Sequence, residues 1–376
     1  MDKRHRAGDR RTRAQAGAVV RKRDSKHREK RPADNGAETA AIAVDREEQL
    51  TTRAAWLYYT ADMTQAQIAK RLGLNRVRVN RMLAQAREQG IVQIRINTRL
   101  ASCVALEGKL AARFGLDEAI VVPTPADPGK VPHAVAIATG IALSDRIRDG
   151  MSVGVGWGRT LRMSLQSVTR RPVRKLSVVS LIGGLTRGSV MNAYETASHL
   201  ADLFDAECFY VAAPVFTDSA ATRDILMEQP MLREVFDKVR AVDLAVVSVG
   251  SLTRDATMLK LGLIERDDVT SLRRAGAVGD ICAYWIDAEG RIIDHPLNRK
   301  VVALSPQELR DIPSVILASG GRDKVAPLYG ALAQGYGNVL ITDEATAEGI
   351  LRVADGKAAQ PPVRQTRASP RKVTAG

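Results

Sequence analysis

From residue 115 onward, short runs of β-branched and aliphatic residues alternate with stretches of helical periodicity. The predicted strands are residues 119–122, 152–155, 176–181, 208–212, 244–249, 281–286, 315–318 and 339–342. Helical patterns separate several of them, for example at residues 135–148, 193–204 and 325–334. Apolar strands that alternate with helices are typical of a mostly parallel, open sheet with helices on both faces. We therefore predict an α/β domain over residues 101–356, without internal repeats.

The formal net charge of +14 is distributed unevenly along the chain. Residues 1–31 hold 13 Lys/Arg and 4 Asp/Glu, residues 51–100 hold 9 and 2, and residues 357–376 hold 5 and none. Positive charge concentrated outside the α/β body favours a polyanion as partner. We interpret residues 1–44 and 357–376 as disordered basic tails, because they contain almost no large apolar side chains.

The three cysteines are far apart, and no Cys/His spacing fits a metal site. This pattern favours a reducing, cytoplasmic setting without disulfides, zinc or another cofactor. No apolar run approaches the roughly 20 residues of a membrane helix, so we expect no membrane partner.

Residues 64–83, "TQAQIAKRLGLNRVRVNRML", have the spacing of a helix-turn-helix. Ala69 is small where a second helix crosses closely, and Gly73 can adopt the positive φ of a tight turn. Thr64 and Gln67 form a capping-box pattern for the first helix, and Asn75 can cap the second. We predict a helix-turn-helix domain over residues 45–100, in which residues 90–96 alternate like the strand of a wing.

The exposed face of the second helix offers side chains that can read bases. Arginine makes bidentate contacts with guanine, and asparagine with adenine. Lys70 and Arg71 could contact phosphates, while an αα-corner with a solvated basic face is the alternative. The predicted DNA-binding residues are Thr64, Gln65, Asn75, Arg76, Arg78, Asn80 and Arg81.

The segment "VGVGWGRTL", residues 153–161, places glycines where an apolar run meets a helical pattern. It lacks the Gly-Lys-Ser/Thr of a Walker A motif and the GxGxxG of a dinucleotide site. Glycines let backbone N–H groups approach an anion, and a helix predicted at about residues 160–168 would direct its positive end there. A tight strand-to-helix turn, in which the glycines only save space, explains the same pattern.

Further glycines and charged residues lie beside the ends of other predicted strands. In an open α/β sheet, ligands bind outside the carboxyl ends of the strands. Together these positions would suit a sugar, a sugar phosphate or a polyol. The predicted effector-binding residues are Gly156, Trp157, Gly158, Arg159, Thr160, Gly183, Gly184, Gly250, Asp280 and Lys324.

Over about residues 50–355, the chain resembles the SorC family of bacterial transcriptional regulators, also called DeoR-type sugar-binding regulators. The resemblance rests on residues 63–96, "VGVGWGRTL", "GAVGDICAYWIDAEG" and the segment that begins "IPSVILASGGRDK". It implies a helix-turn-helix domain followed by an effector domain similar to the glucosamine-6-phosphate deaminase/ribose-5-phosphate isomerase fold. It further implies a homo-oligomer, a dimer or tetramer, on an operator of double-stranded DNA. Asn75 and Asn80 replace the serines of many relatives, so the operator sequence cannot be carried over.

Two other functions compete with ligand-controlled DNA binding. A phosphosugar isomerase or deaminase needs a general base, for which Asp280, Glu195 and His199 are candidates without a constrained spacing. A DNA-binding protein whose α/β body only oligomerises would not need glycines at its strand ends. We therefore expect a non-enzymatic regulator of a carbohydrate-catabolism operon.

Overall fold

The computed structural model describes residues 35–61, 63–88, 91–92, 100–185, 192–253 and 256–356. The chain divides into two compact units, residues 1–95 and residues 96–376. The expected fold class, a helix-turn-helix domain followed by a mostly parallel α/β domain, is confirmed. Within the described residues, no helix has both the length and the apolar character needed to cross a membrane.

Among its described residues, the first unit contains three helices. They are α1 (Asn35–Tyr59), α2 (Gln65–Leu72) and α3 (Arg76–Glu88). Its core combines Ile68 and Ala69 of α2 with Val79 and Met82 of α3, which pack against alanines and Leu57 of α1. The helix-turn-helix pattern alone did not predict α1, against which α2 and α3 pack.

Parts of three predicted segments lie outside the described residues. The predicted basic tails do so over residues 1–34 and 357–376, and the predicted wing does so except for Ile91 and Val92. Residues 35–44, assigned above to the basic tail, belong to α1.

The second unit contains ten strands and ten helices among the described residues. The strands are β1 (Glu118–Val122), β2 (Ser152–Val155), β3 (Ser177–Ser180), β4 (Glu207–Phe209), β5 (Leu244–Val247), β6 (Val249–Ser251), β7 (Gly279–Ile281), β8 (Tyr284–Ile286), β9 (Ser314–Ala318) and β10 (Val339–Asp343). The helices are α4 (Leu100–Phe114), α5 (Val131–Arg146), α6 (Arg159–Ser164), α7 (Ala193–Phe204), α8 (Ala220–Glu228), α9 (Pro230–Arg240), α10 (Thr257–Lys260), α11 (Arg266–Arg274), α12 (Val325–Ala333) and α13 (Glu344–Gly356).

Seven strands form one parallel sheet in the order β1-β10-β9-β5-β2-β3-β4. Successive side chains of a strand point to opposite faces, and both faces of this sheet are buried. Val153, Val246 and Ile316 lie in one core cluster, whereas Ala245 and Leu317 lie in another. Because all seven strands are parallel, their carboxyl ends meet at one edge of the sheet, where the following loops converge.

The remaining strands β6, β7 and β8 form a separate antiparallel sheet, which the sequence analysis did not predict. The strand predicted at residues 244–249 ends at Val247, and Gly250 belongs to β6. The strand predicted at residues 281–286 is a hairpin that turns at Cys282 and Ala283, with φ of 50° and 66°. A two-residue hairpin turn needs such positive φ values, but its usual signals are Asn-Gly or Asp-Gly. Cys-Ala carries no such signal, so the sequence pattern predicted one continuous strand instead of a hairpin.

Candidate functional site

Local hydrogen bonds cap the N-termini of α2 and α3, and a glycine begins the turn between them. The Thr64 hydroxyl accepts from the Gln67 backbone N–H, and the Gln67 side chain accepts from the Thr64 N–H at 2.9 Å. Gly73 ends α2 with φ of 66°, in the left-handed region that glycine adopts without strain. The Asn75 side chain accepts from the Arg78 N–H at 2.7 Å and so caps α3.

Three predicted DNA-binding side chains are linked on the surface of the first unit. The Gln65 amide donates to the Asn80 side chain at 3.3 Å, and Arg76 Nε donates to Gln65 at 3.5 Å. Arg81 is also exposed on α3. Since arginine and amide groups suit base edges and phosphates, this cluster can contact DNA.

Two other predicted residues already have partners within the first unit. The Arg78 guanidinium donates to Glu47 of α1 at 2.8 Å, in an ion pair whose side chains are both about half exposed. The Asn75 side chain caps α3, as described above. A DNA contact by either side chain would therefore exchange an existing interaction for a new one.

In the second unit, a cavity of about 520 Å³ opens at the carboxyl ends of β2, β5 and β9. We call it the strand-end cavity. Seven of the ten predicted effector-binding residues line it. These are Trp157, Gly158, Arg159, Thr160, Gly250, Asp280 and Lys324.

Asp280 is a buried carboxyl group at this cavity, only 5% exposed. Burial raises its pKa from the usual 3.8 to about 6, although the Lys324 ammonium and the Ala283 backbone N–H both favour the charged form. Gly250 lies opposite Asp280 in the small sheet, and a Cβ there would come within 1.8 Å of the carboxylate Oδ1. Only glycine at position 250 therefore leaves the Asp280 side chain in place.

Lys324 belongs to a polar cluster with two residues that the sequence analysis missed. Its ammonium donates to the Ser251 hydroxyl at 3.2 Å and lies 3.5 Å from Asp323 Oδ2. The Ser251 hydroxyl in turn donates to Asp323 at 2.6 Å. The Lys324 charge is therefore shared between Asp323 and Asp280. Asp323 could have been inferred from its place beside Lys324, whereas Ser251 lies 73 positions before Lys324 along the chain.

Trp285 is a further cavity residue that sequence reasoning missed. It pairs with Asp280 across β7 and β8, so the two side chains leave the same face of the small sheet. Its indole Nε1 is buried and has no hydrogen-bond partner among the described residues. An unpartnered buried donor costs roughly 1–3 kcal/mol, which a bound acceptor would offset.

Three predicted glycines do not line the strand-end cavity. The Gly156 N–H donates to Val246, the Gly183 N–H to Val302 and the Gly184 N–H to Ala213, each at 2.9 Å. A Cβ at Gly183 would lie 2.6 Å from a backbone oxygen, and one at Gly184 would lie 2.4 Å from the Tyr194 ring. Close packing therefore explains Gly183 and Gly184, and we leave them out of the effector site proposed below.

The general-base candidates Glu195 and His199 are also outside the residues that line this cavity. Glu195 is exposed in the first turn of α7. His199 Nδ1 lies 2.6 Å from an Arg162 nitrogen, and burial together with the Arg162 charge lowers the pKa of His199. Of the three candidates, only Asp280 lies at the cavity.

Two family models match the chain. Residues 98–352 match the family described as "Putative sugar-binding domain", and residues 46–107 match a Crp-like helix-turn-helix domain. The first match spans more than half of the chain and contains every residue of the strand-end cavity.

Similar proteins include regulators from several bacteria. The chain is 31% identical to the erythritol catabolism regulatory protein EryD of Brucella abortus, over 83% of this chain and 99% of that protein. It is 34% identical to the deoxyribonucleoside regulator of Bacillus subtilis, over 82% and 99%. The crystal structure of the full-length sorbitol operon regulator SorC from Klebsiella pneumoniae has a TM-score of 0.63 and 29% identity, over 82% of this chain and 99% of that one.

Proposed function

The chain belongs to the SorC family of sugar-binding transcriptional regulators, and we propose that a small polyhydroxylated effector in its strand-end cavity controls its affinity for an operator. The regulated genes would serve carbohydrate catabolism, as the names of the erythritol and deoxyribonucleoside relatives suggest for those proteins. An effector changes DNA binding only if it binds the two functional states with different affinity.

The presence of buried Asp280 and of Lys324 in the lining of one cavity is the observation that carries this proposal. A carboxylate accepts hydrogen bonds from hydroxyl groups, and an ammonium donates to their oxygens. Trp157 offers an aromatic surface, and the Trp285 N–H offers a donor. Alternating donors, acceptors and aromatic faces suit a molecule that carries hydroxyl groups on a carbon chain.

Both a free polyol and a phosphorylated sugar remain candidate effectors. The Lys324 charge is balanced by Asp280 and Asp323, which favours hydroxyl groups at that end. Arg159 of the segment "VGVGWGRTL" is exposed at the cavity and is the group that would bind a phosphate. Arg159→Ala should therefore weaken binding of a phosphorylated effector far more than binding of a free polyol.

We also propose that the protein is not an enzyme. Glu195 and His199 are absent from the cavity lining, and the relatives are named as regulators. Incubation with ribose 5-phosphate and with glucosamine 6-phosphate should release no isomerised sugar and no ammonia. Turnover that Asp280→Asn abolishes would instead support the isomerase or deaminase function.

The DNA partner also bears on the cellular location and the oligomeric state of the protein. An operator of double-stranded DNA places its site of action in the cytoplasm. Regulators with symmetric operators act as closed oligomers, and we propose a dimer or tetramer. Sedimentation of the full chain with and without DNA measures this state.

A ligand screen followed by DNA binding tests the proposal. Erythritol, sorbitol, deoxyribose 5-phosphate and ribose 5-phosphate are added separately to the full chain, with inorganic phosphate as the control. A cognate effector should raise the melting temperature and change operator affinity in a mobility shift. If no compound of a broad polyol and sugar-phosphate panel does either, effector sensing is wrong.

A further inference from the structure

Val77 is an apolar residue that is 80% exposed on helix α3. It contributes nothing to the core of its unit, which α3 reaches through Val79, Met82, Leu83 and Ala86. Valine also has a lower helix propensity than alanine, so the stability of α3 does not favour it at an exposed position.

The position of Val77 in α3 determines on which side of the helix its side chain lies. Residues of an α-helix are spaced by about 100° around the axis. The buried residues Val79 and Met82 define the inward direction, and the opposite direction falls on Val77 and Arg81. Val77 therefore lies at the centre of the exposed face of α3.

The neighbours of Val77 on this face are polar. Asn80 and Arg81 follow it by three and four positions and are exposed. Arg76 is also exposed, about 100° from Val77 around the helix axis. Arg78 lies at the edge of the face, where it pairs with Glu47. Asn80 and the arginines can contact base edges or phosphates, whereas Val77 offers only its two methyl groups.

We propose that Val77 is a specificity-determining residue that contacts the C5-methyl group of a thymine in the major groove of the operator. This inference rests on the DNA-binding function given above. The second helix of a helix-turn-helix contacts base edges through its N-terminal residues, and Val77 is the second residue of α3. The thymine methyl is the apolar group that the major groove presents for direct readout.

The test begins with an operator obtained by selection from random duplexes with the full chain. Each thymine of the selected site is then replaced singly by deoxyuridine, which lacks only the methyl group. Affinities of the wild type and of Val77→Ala are measured for every duplex at fixed salt. At one or more thymines, loss of the methyl should weaken wild-type binding by about fourfold. The same replacement should leave binding by Val77→Ala unchanged, because its contact is already missing.

Two control variants separate methyl recognition from other effects. Val104→Ala changes an equally apolar, 62% exposed helical residue of the second unit and should not change the response to deoxyuridine. Arg81→Ala should lower the salt dependence of binding by about one unit, whereas Val77→Ala should leave it unchanged. Circular dichroism of Val77→Ala should show a folded protein, because the substitution removes no buried contact.

Each outcome decides a specific point. A selection without any preferred sequence contradicts sequence-specific binding itself, and with it this inference. A preferred site whose deoxyuridine replacements affect both proteins equally contradicts only the role of Val77. A selected site without an invariant thymine has the same consequence.

Discussion

Replacing Asp280 by asparagine should stabilise the ligand-free protein while it removes the response to the effector. Asparagine has the same shape as aspartate, so the cavity keeps its packing and the Ala283 N–H keeps an acceptor. Lys324 keeps Asp323 as a partner at 3.5 Å. The main change is therefore the loss of a buried ionisable group.

The magnitude follows from the raised pKa of Asp280. The folded protein holds this proton with a pKa of about 6, whereas the usual value is 3.8. The favourable contribution of the carboxyl group is therefore complete below pH 3.8 and is lost as the pH rises through about 6. About 2 pH units at about 1.4 kcal/mol each correspond to about 3 kcal/mol at pH 8, and to roughly half of that at pH 5. Asp280→Asn has no such loss, so its advantage should grow with pH.

Urea unfolding without ligand measures this difference. The chain has three tryptophans, of which Trp157 and Trp285 are in the second unit. A Trp56→Phe background therefore lets fluorescence follow that unit by itself. The free energy of unfolding should favour Asp280→Asn increasingly from pH 5 to pH 8. An advantage that is absent at pH 8, or equal at both pH values, would refute the raised pKa of the buried carboxyl group.

Two further predictions concern close contacts. Gly250→Ala places a Cβ 1.8 Å from Asp280 Oδ1, so the carboxylate must move. The substitution should lower the stability of the folded protein by about 1–3 kcal/mol, and calorimetry should show weaker effector binding. Gly108→Ala, in open space on α4, is the matched control and should bind the effector as the wild type does. Glu47→Gln breaks the ion pair with Arg78 and frees the guanidinium to contact DNA. The loss of the exposed ion pair should cost less than about 1 kcal/mol of stability. DNA affinity should increase, and the slope of its salt dependence should increase by up to about one unit. Arg78→Ala should lower both, and equal salt dependence in all three proteins would mean that Arg78 does not contact DNA.

The helix-turn-helix could be predicted from the sequence because its determinants are local. The Thr64–Gln67 capping box, Gly73 and the Asn75 cap act over at most four residues, and each has the predicted role in the structure. The main sheet was predictable for a related reason. Strands such as β5 and β9 are buried on both faces and therefore read as continuous apolar runs.

The details of the cavity depend on contacts between distant residues. Ser251 and Asp323 are 72 positions apart, and no spacing rule connects them. The hairpin at Cys282–Ala283 brings Trp285 opposite Asp280, although neither turn residue is a usual turn former. Gly183 and Gly184 illustrate a related ambiguity, because a glycine beside a strand end can be required by packing as readily as by a ligand.

Operator affinity of the full chain, measured with and without the effector identified in the screen, tests the central claim most directly. The wild type and Asp280→Asn should bind the operator equally well in the absence of effector. The effector should change the affinity of the wild type by at least about tenfold, within the usual range of coupling between two sites, and leave that of Asp280→Asn unchanged. An equal response in both proteins would contradict an effector site built on Asp280.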